Sequence, residues 1–546
     1  MAPPLLPLVL LALPQASAPP FVARNLPGVT TTAGSAEKEY ILEVNGSGLA
    51  AGDFDGDGAP DLVVADGSSL ERLRAGEPGL PARLFLNDGK GELAPAGEAW
   101  ALPAGRFGTG LAAGDVDADG HLDLALLQWG ADLLVRNRDG QGFERVEDPG
   151  FRGKRWATSG AFHDGDLDGD LDLYVVNYLA FDPERVSARS EGHCRWKGQP
   201  VMCGPEGLTP VHDQYYRNDG RGGFEEVSAR VGLRPETAGF GLGITTLDFD
   251  LDGDTDLYVT NDSTPNHLWR NEGGTFAEIG LRSGVALDGA GKEQAGMGIT
   301  VGDWNADGVP DLFATNFSGE ENAFYLSSRA GRWRERASAS GLGGPSKVTL
   351  GWGTATEDFD LDGDLDLVVF NGHVYPQADA AGTDTSYAQA DALFENLGGR
   401  FVRRRLSAEA PGVSRAALAA DFDRDGRPDL VASELGGPVR LLRNAFPREG
   451  RSWATFSLRG RSANLQGLGA RVVVELADGS RLSREVRTAG GYQTSVPAEV
   501  HFGFGEDLVT LPLVRVHWPS GRVSEHRDLV ADRFHRLVEP RKEAPR

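Results

Sequence analysis

The sequence predicts an all-β chain: a seven-bladed β-propeller followed by a small C-terminal β domain. Three observations carry that prediction. One acidic decapeptide recurs seven times, four short strand-like runs can be read around each copy, and the acidic loops stop near residue 446, where the patterning changes.

The copies are DFDGDGAPDL, DVDADGHLDL, DGDLDGDLDL, DFDLDGDTDL, DWNADGVPDL, DFDLDGDLDL and DFDRDGRPDL. Oxygen-bearing side chains stand at positions 1, 3, 5 and 9 of each. In the first three copies these are Asp53, Asp55, Asp57 and Asp61, then Asp115, Asp117, Asp119 and Asp123, then Asp164, Asp166, Asp168 and Asp172. The fourth and fifth carry Asp248, Asp250, Asp252 and Asp256, then Asp303, Asn305, Asp307 and Asp311. The last two carry Asp358, Asp360, Asp362 and Asp366, then Asp421, Asp423, Asp425 and Asp429. Alternate side chains of such a loop converge on one centre, the position 7 carbonyl adds a ligand, and Gly at position 6 permits the sharp turn. Hard oxygen donors at this spacing fit Ca²⁺, in up to seven sites; no Cys or His enters the set to favour zinc. An EF-hand would need Glu at position 12 and an exiting helix, whereas here position 12 is Val or Leu or Ala and a β-type run follows. Four carboxylates around an empty centre repel one another, so the ion is expected to be structural, contributing about 1.4 kcal/mol per site at tenfold saturation.

A small-residue run enters each loop, an apolar run leaves it, and a third run closes on Asn87, Asn137, Asn218, Asn271, Asn396 or Asn444, with Ser327 in the fifth copy. A fourth run opens on an aromatic, as at Phe224, Phe276 and Trp333. The seventh copy runs out at Asn444 without a fourth strand, and Phe21 near the N-terminus reads as the start of one. The N-terminal segment is therefore expected to complete the last blade, which removes two open sheet edges. The propeller is assigned to residues 19–446. One spacing is long, and an insertion is placed at about 178–213. It holds both cysteines, Cys194 and Cys203, expected to form a disulfide in an exported protein. A thiolate site with His193 would need a reducing compartment and a fourth ligand.

Residues 1–18 read as a secretory signal peptide, an apolar run ending in Ala16-Ser17-Ala18, which places the protein in the periplasm or outside the cell. No other run is long and apolar enough to insert in a membrane. The net charge of −26 argues against nucleic acid and anionic lipid as partners.

Residues 451–540 read as a separate all-β domain, with one hairpin turning at Asp478-Gly479 and another at Pro519-Ser520-Gly521. Trp453 and Trp518 are assigned to its core. With NDSTPNHLWRN from Asn261, GMGITVGDWNADG from Gly296, NGHVYP from Asn371, CGPEGL from Cys203, GLGARV from Gly467, HFGFG from His501 and VHWPSG from Val516, the chain resembles the cartilage acidic protein family. That family joins FG-GAP (VCBS) calcium-binding repeats to an ASPIC/UnbV domain, and its repeats are similar to those of integrin α-chain heads. The resemblance implies a secreted calcium-binding propeller and supplies no catalytic residues.

No nucleophile elbow, P-loop or zincin motif occurs. His267 and His373, with Asp262, Asn371 and Tyr375, are candidates to line a channel mouth, although capping of the channel accounts for them as well. The function expected is an extracellular binding or adhesion module for a glycan or a protein. The alternative is a Ca²⁺-dependent polysaccharide lyase or another carbohydrate-active enzyme, with catalytic residues unassigned, and a purely structural role comes third.

Overall fold

The structure, a computed structural model, describes residues 18–541 apart from 329–330 and 462–463. The signal-peptide reading therefore falls on residues that lie, except for Ala18, outside those described. The chain is all-β and propeller-like, and each acidic decapeptide sits within an antiparallel set of four strands, which pair in chain order in the first six sets. The first set is Leu49–Gly52, Asp61–Val64, Arg83–Asn87 and Leu93–Pro95. In every set the decapeptide joins the first strand to the second, and its position 9 Asp opens the second strand.

The last set takes its outer strand from the N-terminus. Phe21–Thr30 pairs antiparallel with Pro438–Asn444, Phe21 facing Asn444. Phe21 is buried edge-on against Phe359, 5.4 Å between ring centroids, so the closure is held by packing as well as by main-chain bonds. The insertion carries a short hairpin, Cys194–Trp196 with Gln199–Val201.

The small-residue composition of the first strands follows from how closely neighbouring sets approach. A Cβ on Gly110 would meet the carbonyl oxygen of Thr158 at 2.1 Å, and one on Gly298 would meet that of Trp352 at 2.0 Å. Thr158 Oγ1 in turn donates to the Gly241 carbonyl and Thr315 Oγ1 to that of Trp352, so hydroxyls stitch adjacent sets where side chains cannot fit.

The C-terminal part forms two sheets. Trp453–Arg459 lies between Glu499–Gly503 and Arg533–Val538, and Arg471–Glu475 lies between Arg481–Glu485 and Thr510–His517, with Val523–Val530 at the edge. The two expected hairpins are present. This part shares one core with the repeats: Phe456, Val472 and Trp518 pack in the same cluster as Ala112, Phe162 and Leu171.

The C-terminal part also sends a segment into the centre of the repeats. Gly491–Tyr492 pairs with Gly241–Leu247, and Thr494–Ser495 pairs in parallel with Leu49–Gly52. Together these four residues come within 8 Å, Cα to Cα, of the first strands of all seven sets. Between them Gln493 is fully buried at φ +60°, donating its N–H to Ser159 Oγ and accepting at its carbonyl from the Leu49 N–H. From the opposite end the Tyr40–Asn45 segment approaches, and Tyr492 Oη donates to the Asn45 carbonyl at 2.7 Å. Fully buried Arg415 braces this contact, donating to the carbonyls of Val44, Gly372 and His373 with its guanidinium 4.2 Å from the Trp352 ring centre.

Candidate metal centres

Each acidic loop is built by the same local bonds. The position 6 Gly donates its N–H to the position 1 carboxylate in all seven: Gly58 to Asp53, Gly120 to Asp115, Gly169 to Asp164, Gly253 to Asp248, Gly308 to Asp303, Gly363 to Asp358 and Gly426 to Asp421. The position 4 residue is left-handed in every loop, as at Ala118 (φ +57°) and Leu361 (φ +63°). Six of these seven are not glycine, a strained choice that persists because the loop over-determines it. The result turns the carboxylates of positions 1, 3 and 5 inward. Oxygens of Asp53, Asp55 and Asp57 lie within 4.8 Å of one another, as do those of Asp164, Asp166 and Asp168, of Asp248, Asp250 and Asp252, and of Asp358, Asp360 and Asp362. In the second loop the close group is Asp115, Asp117 and Asp123.

The position 9 Asp has a structural duty that the sequence reading did not assign. One of its oxygens accepts the backbone N–H of the residue closing the third strand in every set: Asn87 on Asp61, Asn137 on Asp123, Asn218 on Asp172, Asn271 on Asp256, Ser327 on Asp311, Asn396 on Asp366 and Asn444 on Asp429. The second oxygen accepts the position 2 N–H in four sets, from Phe54, Val116, Phe249 and Trp304. In the third set Tyr215 Oη supplies that bond to Asp172, and in the seventh Arg443 does so to Asp429. Asp366 Oδ2 has no hydrogen-bond partner among the described residues.

The electrostatics favour a cation. Burial pushes Asp61, Asp164, Asp172 and Asp248 up to about 7 and Asp123, Asp311 and Asp421 up to about 8, and neighbouring carboxylates of the same loop push in the same direction. Buried Asp53 Oδ1, Asp117 Oδ1, Asp166 Oδ1 and Asp423 Oδ1 have no hydrogen-bond partner among the described residues. An all-oxygen donor set with orphaned buried carboxylate oxygens suits a hard divalent ion.

A second signal was overlooked in the sequence. The residue before the strand-closing Asn is Arg in four sets, and in three of them its guanidinium reaches the position 3 Asp: Arg136 lies 3.5 Å from Asp117, Arg217 3.2 Å from Asp166 and Arg443 3.2 Å from Asp423, whereas Arg270 pairs with Glu272. The Arg-Asn dipeptide was the available clue.

Of the channel-mouth candidates His373 and Asn371 are buried, whereas Asp262, His267 and Tyr375 are half-buried. His373 is fully buried, its Nδ1 accepting from the Tyr375 N–H and its ring 4.7 Å from that of Trp196. Asn371 is buried and donates to the Val369 and Ala390 carbonyls, and Asp262 accepts from Tyr178 Oη at 2.5 Å. Burial holds His267 down at about 4 and His373 at about 3. Cys194 and Cys203 are disulfide-bonded, Cα to Cα 5.3 Å, beside the Trp196 that covers His373. Trp453 and Trp518 are both buried.

Residues 53–126, 115–175, 248–314 and 303–369 match the FG-GAP-like repeat family, and residues 460–544 match the family described as ASPIC and UnbV. Cartilage acidic protein 1 of Xenopus tropicalis is 26% identical over 503 residues, covering 87% of this chain and 70% of that protein. The Mus musculus protein of the same name is 27% identical over 325 residues, 58% of this chain and 47% of its own length, so the match spans under half of that relative. A solved Agrocybe aegerita lectin structure, described as recognising non-reducing terminal N-acetylglucosamine, aligns at 14% identity and a TM-score of 0.40 over 77% of this chain and 96% of its own. The chain thus carries FG-GAP-like repeats ahead of an ASPIC and UnbV domain and is similar over most of its length to cartilage acidic protein 1.

Proposed function

We propose that the seven sets close into a seven-bladed propeller loaded with up to seven Ca²⁺ ions, and that this exported body is a binding and adhesion module for a glycan or a protein. The observation that carries the reading is the common architecture of the acidic loops, from the Gly-to-Asp bond to the left-handed fourth residue. A side-chain relay supports closure. The strand-closing Asn donates to the position 2 carbonyl of the preceding set, Asn137 to Phe54, Asn218 to Val116, Asn271 to Gly165, Asn396 to Trp304 and Asn444 to Phe359, and Asn87 of the first set donates to Phe422 of the last. Export is supported by the apolar leader and by the disulfide, which persists in oxidising compartments. No helix among the described residues is long and apolar enough to cross a membrane.

The binding reading is preferred to polysaccharide cleavage because the centre is filled by Gly491–Ser495 from one side and approached by Tyr40–Asn45 from the other, and the candidate histidine His373 is buried. Chemistry at the axis would need an open cleft where these groups now stand. The test incubates calcium-loaded protein with acidic and neutral polysaccharides and with matrix proteins, scoring retention and new chain ends. Calcium-dependent retention without new ends is expected. New ends that disappear with chelator, in protein shown to remain folded, would overturn it in favour of a lyase.

A further inference from the structure

A cavity of about 160 Å³ lies between the repeats and the C-terminal part. One wall comes from first strands of the repeats, at Thr245, Thr300, Thr356 and Glu357, and the other from Thr455, Arg484, Glu485, Arg487 and His501. Several of these groups are buried with hydrogen-bonding capacity unused. Glu485 has a side chain only 7% exposed; its Oε2 accepts from the Asp248 N–H, and its Oε1 has no partner. His501, 6% exposed, donates from Nε2 to the Gly426 carbonyl at 2.9 Å, which leaves Nδ1 as an unsatisfied acceptor. Thr455, 4% exposed, has an unpartnered hydroxyl, and the Nε of both Arg484 and Arg487 is buried without an acceptor. Each guanidinium has one nitrogen on a backbone carbonyl, Arg484 on Ser483 and Arg487 on Val301, and Arg487 Nη2 also lies 3.8 Å from Glu485 Oε2.

Unsatisfied buried polar atoms are uncommon in folded proteins and costly, and several on one cavity point to something that bonds them. At ~10–15 Å³ per water the space holds roughly ten waters, or one ligand of about a dozen heavy atoms. Glu485 lies 3.8 Å from Arg487 and Glu357 faces both guanidiniums, so the unused donors are the two buried Nε groups and a hydroxyl; one face of the ligand must accept, and a carboxylate is the acceptor that bonds guanidinium N–H groups best. The acceptors are a carboxylate oxygen and an imidazole nitrogen, so another face must donate. We propose that this cavity binds a small polyhydroxylated carboxylate, a monomeric sugar acid of hexuronate size, with its carboxylate between Arg484 and Arg487 and its hydroxyls on Glu485, His501 and Thr455. This site is separate from the surface on which the adhesion reading depends, and either can fail without the other.

The experiment titrates the full calcium-loaded chain calorimetrically with glucuronate, glucose, acetate and a triuronate. Saturable binding of glucuronate is expected, at least tenfold tighter than glucose or acetate and at least tenfold tighter than the triuronate, which is too large for the space. Thr455→Val is expected to weaken glucuronate three- to tenfold and Arg484→Gln at least tenfold, with melting temperatures taken alongside. If Arg484→Gln does not fold, Thr455→Val decides. No saturable glucuronate binding, glucose binding equally well, or a folded Thr455→Val that binds as the parent chain does would overturn the proposal in favour of a cavity filled by water. Triuronate as the tighter ligand would also overturn it and would move the site to an open polysaccharide groove.

Discussion

The side-chain amide of Asn87 donates to the carbonyl of Phe422 at 2.8 Å, joining the first set of strands to the last across 335 residues of chain. The same amide holds the Pro60 carbonyl at 2.8 Å, and its oxygen accepts from the N–H groups of Gly89 and Gly91. Asn87→Ala is expected to cost about 2–4 kcal/mol, because it strands buried carbonyls and amides rather than exchanging them for water. Asn137→Ala removes the equivalent bond inside the array. Chemical denaturation of the two variants is expected to give similar losses, and a negligible loss for Asn87→Ala alone would mean the ends are not locked in solution.

Two glycines at the same loop position separate backbone strain from packing. Gly58 and Gly426 both stand in position 6, at φ +94° and +89°. A Cβ on Gly58 meets nothing within 4 Å, whereas one on Gly426 would meet the Trp453 indole at 1.9 Å. Gly58→Ala is expected to cost about 1–2 kcal/mol, the left-handed penalty alone. Gly426→Ala is expected to cost at least ~2 kcal/mol more, with a shift in tryptophan emission as the C-terminal part is displaced. Equal losses in denaturation would show that Trp453 does not rest on this loop.

The loops were legible because their signal is local: alternate Asp residues and a Gly within ten residues state both the ligand geometry and the turn. Closure by Phe21 was legible for the same reason, as a strand missing at one end and spare at the other. The Gly491–Ser495 insertion was not. Its two pairings span two residues each, far too short for a period, and its partners are hundreds of residues away in sequence. The double use of the position 9 Asp was equally hidden, because a carboxylate that holds two backbone amides and one that holds a cation look alike in sequence. His373 left two readings open for a related reason: the strand end that would place it at a mouth also places it beneath Trp196.

The disulfide gives a local prediction. It closes a ten-residue loop, for which chain entropy contributes about 2–3 kcal/mol. Trp196 lies within that loop, with its ring 4.7 Å from His373 and 5.5 Å from Tyr375. Cys194→Ser with Cys203→Ser is expected to expose Trp196 to quenchers while the far-ultraviolet dichroism of the sheets persists. Global unfolding on reduction would instead make the insertion a support for the whole fold.

The acidic loops set the pH dependence, and its sign distinguishes metal-free from metal-bound protein. In the metal-free fold burial raises Asp61, Asp164, Asp172 and Asp248 to about 7 and Asp123, Asp311 and Asp421 to about 8, from an ordinary 3.8. The folded chain therefore binds protons more tightly than the unfolded one, so their contribution is complete below the ordinary 3.8 and is lost progressively as pH rises from there through 7 and 8. Four histidines act oppositely. His163, His267 and His501 are held at about 4 and His373 at about 3, so they lose stability only as pH falls below about 6.5. Between pH 7 and 8.5 the carboxylates dominate, each contributing at most about 1.4 kcal/mol per pH unit. Chelated protein is expected to melt several degrees lower at pH 8.5 than at pH 7. With millimolar Ca²⁺ the ion replaces the protons and the melting temperature is expected to be higher and flat over the same interval, falling only on further acidification. Scanning calorimetry in both conditions checks this, and parallel slopes with and without the ion would remove Ca²⁺ from these carboxylates.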